Sequence, residues 1–350
     1  MATCKIHPAR GGLCHAQQCN YLNISNGPSM TKPNLLITCP AFPEILEQLS
    51  PHFDIELNQQ ESSVNEDQLI QKLHNKQAAF TAGNARFTAK AIRSAPQLKI
   101  ISAMTVGYDN IDIASCAEQG ILVTNSPDVV NQTTADFAWA LLLATARRVT
   151  EAEHWLRAGH WDKWQLRGFL GADVHGKTLG IWGMGRIGQA IARRSMGFDM
   201  QVLYHNRTRL TVEQESYANN ATFVSKQELL QRADHLVLMV PYTAATHHCL
   251  GAEELAQMRP GAILINTARG GVVDDAALIE ALRNQHIAAA GLDVFEHEPH
   301  LNPEFLSLPN VVLTPHIASA SEPTRRAMQQ CAANNLIRFA EFGEVINLVN

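Results

Sequence analysis

The chain has 350 residues, of which 46% are hydrophobic and 17% charged, with a net charge of −5. That length fits about two domains, and the apolar content excludes a disordered chain. The slight acidity argues against a nucleic-acid partner, which normally meets a basic stripe. The longest apolar stretch, residues 137–146, is far short of the roughly 18–20 residues of a membrane span.

Residues 1–32 read as a flexible extension, or as the product of an upstream start with Met30 as the natural initiator. Cys4, His7, Cys14, His15 and Cys19 fit no paired C-x2-C spacing, so no metal is expected there. No continuous apolar run follows Lys5 and Arg10, which argues against a secretory signal. Seven cysteines at scattered spacings argue against a disulfide framework. These features together point to a cytoplasmic protein.

From Asn34 onward the pattern alternates strand and helix. Strands are expected at residues 35–39, 53–57, 78–82, 100–106 and 121–124, with helix-like segments between most of them, which predicts a small parallel α/β unit. Thr133 and Asp136 have the spacing of a capping box, and residues 137–148 are strongly helix-forming. Residues 159–171, rich in Trp and Gly, read as a loop arm. A second α/β series starts at Lys177. Its strands are expected at 178–182, 201–204, 235–240, 262–266, 288–293 and 310–314, the alternation that predicts a doubly wound parallel sheet. Residues 322–341 read as one amphipathic helix.

Strand 178–182 runs into Gly183-Met184-Gly185-Arg186-Ile187-Gly188, with a helix expected from Gln189. This G-x-G-x-x-G stands where a phosphate-binding turn requires it, after an apolar strand and before a helix. Gly183 permits the tight turn, Gly185 lets backbone approach a pyrophosphate, and Gly188 allows close helix–strand packing. The helix N-terminus offers N–H groups to the phosphates. The next strand ends at His205-Asn206-Arg207-Thr208-Arg209. A carboxylate near this point would bind the ribose 2′-OH of NAD; two arginines and none suit the 2′-phosphate of NADP instead.

Three later strands end in Arg269, in Asp293 followed by Glu298, and in His316. Ligands of open α/β sheets bind beyond the carboxyl ends of strands, so arginine, acid and histidine converge on the edge that carries the glycine turn.

From about residue 33 the chain resembles the D-isomer-specific 2-hydroxyacid dehydrogenases. The resemblance rests on Val106-Gly107-Tyr108-Asp109-Asn110, Thr134-Ala135-Asp136, Gly176-Lys177-Thr178-Leu179-Gly180, Asn266-Thr267-Ala268-Arg269-Gly270, Gly291-Leu292-Asp293-Val294-Phe295 and Thr314-Pro315-His316. Asp173-Val174-His175 and Thr246-His247-His248 are similar to the branch of glyoxylate/hydroxypyruvate reductases that also reduce 2-ketogluconate. The resemblance implies a Rossmann cofactor domain (residues 128–316) inserted into a smaller flavodoxin-like substrate domain (33–127, completed by 317–350). It implies reduction of 2-keto acids to D-2-hydroxy acids; the loop 205–209 predicts NADP(H) preferred and NAD(H) weaker.

By the same resemblance, Arg269 would grip the keto acid, with the Val106 and Gly107 N–H groups on its carboxylate. His316 would protonate the carbonyl oxygen, and Glu298 would orient its ring and favour its charged form. Asp293 would hold the nicotinamide carboxamide. Thr134, Thr267, residues 183–188 and His205, Asn206, Arg207 and Thr208 would meet the cofactor. A homodimer is also implied. Trp155, Trp161 and Trp164 around the arm have the character of an interface, so the arm is expected to cross to the partner near its substrate pocket. Another D-2-hydroxyacid dehydrogenase, such as one acting on phosphoglycerate, or a dinucleotide-sensing regulator of the same fold stays open, since fold alone does not decide activity.

Overall fold

A computed structural model describes residues 32–60 and 62–350. The expected extension and the cysteines at positions 4, 14 and 19 lie outside the described residues. Nine elements come first: β1 (Asn34–Ile37), α1 (Pro43–Leu49), β2 (Asp54–Leu57), α2 (Glu66–Leu73), β3 (Ala78–Thr81), α3 (Ala89–Arg93), β4 (Ile100–Ala103), α4 (Ile113–Glu118) and β5 (Leu122–Thr124). Their strands form a parallel sheet in the order β2-β1-β3-β4-β5. β3 and β4 are buried at every position, because helices cover both faces and a parallel sheet then has no wet side.

Next come α5 (Asn131–Ala146) and α6 (Val149–Arg157), then β6 (Thr178–Trp182), α7 (Arg186–Arg194), β7 (Gln201–His205), α8 (Val212–Tyr217), β8 (Thr222–Phe223), α9 (Lys226–Arg232) and β9 (His235–Leu238). The chain continues through α10 (Ala252–Gln257), β10 (Ala262–Asn266), α11 (Asp275–Arg283), β11 (Ile287–Leu292), β12 (Val311–Leu313) and α12 (Glu322–Phe342). The second parallel sheet runs β12-β11-β10-β9-β6-β7-β8. Both sheets are the expected α/β type. Strand order reverses between β1 and β3 in one and between β6 and β9 in the other, and crevices open beyond the carboxyl ends of such switch points.

The last helix returns to the first sheet. Met328, Ala332, Ala333 and Leu336 share a core with Leu35, Ile37, Phe80 and Ile100. Ser102 Oγ donates to the Ala332 carbonyl at 3.0 Å, and Val349 N–H donates to Val123 O at 2.8 Å. Among the described residues no helix is long and apolar enough to cross a membrane.

Several boundaries differ from the sequence reading. β4 stops at Ala103 rather than Val106; Thr105 Oγ1 donates to Gly107 O at 2.7 Å and bends the chain into a loop. α5 starts at Asn131 without a side-chain cap. The capping-box spacing fails there because tertiary partners take both residues: Thr133 Oγ1 lies 2.5 Å from Thr324 Oγ1, and Asp136 accepts from Arg194 at 2.7 Å. The helix expected through Arg148 ends at Ala146, and Arg148, with φ 54°, turns the chain into α6. The helix after the glycines begins at Arg186, inside the motif, rather than at Gln189. β8, two residues long, is too short to show a period. Residues 159–171 hold no helix or strand, as expected for an arm.

Candidate active site

Beyond β6 the chain turns at Gly183, whose φ of 105° places it where only glycine is comfortable. A Cβ there would lie 2.5 Å from the Met239 carbonyl carbon, and one at Gly188 would lie 2.5 Å from Gly183 O. A Cβ at Gly185 would meet nothing within 4 Å, so that backbone faces open space. No side chain caps α7, leaving its first N–H groups for an anion. Asn206, one residue past β7, accepts from Met184 N–H at 2.7 Å and braces the turn. The cradle therefore fits a dinucleotide pyrophosphate: glycines where side chains would collide, an open face and uncapped amides. Thr134 in α5 and Thr267 after β10 are both buried; the Thr267 hydroxyl is 3.2 Å from Met239 Sδ.

The loop after β7 is more constrained than its composition indicates. Arg209 makes a paired contact with Glu215, at 2.8 and 3.0 Å, so its charge is already matched. The Asn206 oxygen is committed to Met184. Arg207 and Thr208 are exposed, and Arg207 makes no ion pair with any described residue. The His205 ring is bonded through Nδ1 to the Val224 carbonyl at 3.0 Å.

The strand-end groups converge as expected. His316 Nδ1 lies 2.7 Å from Glu298 Oε2, while Glu298 Oε1 accepts from Phe295 N–H at 2.9 Å. Burial pushes the Glu298 carboxyl up, but the His316 contact, the Phe295 N–H and the charge of Arg269 outweigh it and hold the group below its ordinary range. With Nδ1 engaged, Nε2 is the nitrogen left to act. His316 has φ 53°, uncommon for a side-chain-bearing residue. The fully buried Asp293 holds this turn: its carboxylate accepts from Thr314 Oγ1, Ile317 N–H and Ala318 N–H at 2.8, 2.9 and 2.8 Å. Burial nonetheless raises the Asp293 carboxyl above its usual range. This scaffolding role is not legible in the sequence, because all three donors follow a later strand.

Arg269 crosses to the first sheet. Its Nε donates to Asp109 Oδ1 at 2.9 Å and its Nη1 to Ala268 O at 2.7 Å. A Cβ at Gly107 would sit 1.7 Å from Nη2, so only glycine lets the guanidinium lie there. The Val106 and Gly107 carbonyls accept from Asn125 and Thr105 at 2.8 and 2.7 Å, while no described group accepts their N–H. Asp109 was visible inside a motif but not as a partner of Arg269, because 160 positions separate them. The arrangement sets a guanidinium and free backbone donors near an acid-paired imidazole, with the Arg269 charge felt at Glu298.

Residues 139–318 match the model of the D-isomer specific 2-hydroxyacid dehydrogenase NAD binding domain. A glyoxylate reductase of Thermococcus onnurineus is 47% identical over 319 residues, covering 90% of this chain and 94% of that protein. A similar one from Pyrococcus horikoshii is 47% identical over 320 residues, with shares of 90% and 94%. Among solved structures, an NADPH-dependent glyoxylate/hydroxypyruvate reductase of Sinorhizobium meliloti, in complex with NADP and malonate, superposes with a TM-score of 0.81 at 36% identity. That match covers 91% of this chain and 97% of the other.

Proposed function

Because the chain belongs to the D-isomer-specific 2-hydroxyacid dehydrogenase family, we propose that it reduces small 2-keto acids, glyoxylate and hydroxypyruvate foremost and 2-ketogluconate with them, to D-2-hydroxy acids, with NADPH preferred over NADH. The observation that carries this reading is the packing of Arg269 on Gly107 beside the His316–Glu298 pair. A nicotinamide dinucleotide, when bound, supplies the hydride. Arg269 and the Val106 and Gly107 N–H groups hold the substrate carboxylate and polarise its carbonyl. His316 gives the proton from Nε2 to the carbonyl oxygen, and Glu298 keeps the ring oriented and compensates its charge. Asp293 takes the carboxamide through Oδ2, which accepts one described donor; Thr134 and Thr267 stand at that end of the cofactor.

In this reading residues 128–316 form the dinucleotide-binding domain, and 33–127 with 317–350 form the substrate domain. The shared core of α12 and the first sheet supports that division. The 2′-phosphate falls to Arg207 with Thr208, His205 and Asn206 beside it. One charge-assisted contact contributes about 1.5–3 kcal/mol, so NADPH is favoured about ten- to a hundredfold. The assembly is a homodimer. Trp161, Trp164, Leu166 and Leu170 of the arm are 62, 75, 74 and 65% exposed, an apolar surface suited to a second copy.

A panel of 2-keto acids assayed with NADPH and with NADH tests the proposal. Glyoxylate and hydroxypyruvate should turn over, and Arg207→Ala should raise KM for NADPH while leaving NADH nearly unchanged. No reduction of any 2-keto acid would refute the activity. Equal kcat/KM for the two cofactors would refute only the NADPH preference.

A further inference from the structure

A cavity of about 520 Å3 is lined by Cys39, Phe42, Asn84, Met104, Arg325 and Gln329 among others. These residues follow β1, β3 and β4 or belong to α12, so the cavity sits at the β1/β3 switch point of the first sheet, where such sheets bind ligands. Most of its polar lining is already satisfied. Gln329 Oε1 accepts from Phe42 N–H at 2.9 Å and its amide donates to Pro40 O at 2.8 Å. The Asn84 amide donates to Thr38 O at 2.6 Å.

Arg325 is the exception. It is half-buried, and its guanidinium has no hydrogen bond or ion pair to any described residue. Burial depresses its basicity, and the charges that act on it are Asp293 and Cys39. Asp293 already accepts from three donors. Burial pushes the Cys39 thiol up to about 12, so it stays neutral and supplies no counter-charge. A cation taken partly out of water with no partner costs free energy that a bound anion would offset. The remaining walls, Phe42, Met104, Ala41 and Ala82, suit a short carbon body rather than a hydrated inorganic ion.

We propose that this cavity is a carboxylate subsite, in which Arg325 pairs with the carboxylate of a small organic acid, separately from Arg269. The acid is either a free carboxylate or the distal end of a dicarboxylic 2-keto acid; only the second source rests on the activity proposed above.

Succinate binding is measured by calorimetry on the full chain carrying Arg269→Met, which removes the other anion anchor. Saturable binding is expected. Adding Arg325→Gln should weaken it at least tenfold, and Arg325→Lys, which keeps the charge, should retain most of it and control for folding. No saturable binding to the Arg269→Met protein, or equal binding after Arg325→Gln, would overturn the subsite. With Arg269 intact, Arg325→Gln is then assayed on oxaloacetate and glyoxylate. A loss confined to oxaloacetate assigns the carboxylate to the substrate's distal end. An unchanged ratio alongside Arg325-dependent succinate binding assigns it to a separate acid. If no 2-keto acid is reduced at all, the activity fails while the calorimetry still decides the subsite.

Discussion

At Arg269, Glu298 and His316, residue type and position at a strand end announced chemistry before any contact was visible. His316→Ala should lower kcat with glyoxylate by roughly 10²–10⁴-fold, the range for a positioned acid, whereas Arg269→Ala should damage KM and kcat together, since in its proposed role it would bind both ground and transition states. Near-native turnover in His316→Ala would refute its role. Asp275 shows what residue type alone hides. Burial, then the neighbouring Glu296 charge, pushes its carboxyl from 3.8 to about 6. Between those values the folded chain holds more protons than the unfolded one, so this group's contribution to stability falls as pH rises through that window and is level above it. Asp275→Asn should leave stability at pH 4 nearly unchanged and raise it at pH 8 by about 1–2 kcal/mol, discounted because the side chain is partly exposed. Denaturant melts at both values check this; a gain independent of pH would contradict the linkage.

Elements were legible where a local period or turn chemistry dominates. β6 and β10 fall at residues 178–182 and 262–266 as read, because continuous apolar runs bounded by polar turns leave little choice of register. Boundaries that depend on distant partners were not legible. Thr133 and Asp136 look like a helix start until Thr324 and Arg194 are seen to hold them, and Arg209 looks like a free cation until Glu215 closes on it. The loop after β4 has the same character. Its Asp109 meets Arg269 from the second sheet at 2.9 Å, so it positions the guanidinium and links the two sheets. The pair is about one-third exposed on each side, and screening limits it to about 1 kcal/mol. Asp109→Ala should therefore lower kcat/KM for glyoxylate about fivefold, with the effect growing at low salt, while cofactor affinity is unchanged. An equal loss of cofactor affinity would show general unfolding of the loop instead.

For the whole molecule, the exposed arm is where the proposed homodimer is tested. If Trp161 and Trp164 are covered by a second copy, sedimentation should show a dimer. Trp164→Ala should raise the dimer dissociation constant at least tenfold, as truncating a buried aromatic anchor does. A monomer at micromolar concentration would refute the arrangement. The sequence by itself determined the α/β class, the two parallel sheets, the phosphate-binding turn and the three strand-end groups, because period, glycine placement and strand-end position act within a few residues. The tertiary structure alone decided that Arg269 lies on Gly107 and is held by Asp109, that Asp293 shapes the His316 turn, that Arg209 is neutralised, and that Arg325 stands unpaired in a cavity. The Arg269 and Asp293 contacts depend on distant partners that arrive within about 3 Å, the range over which a hydrogen bond forms; the states of Arg209 and Arg325 depend on whether any acid reaches the guanidinium, which residue type does not record.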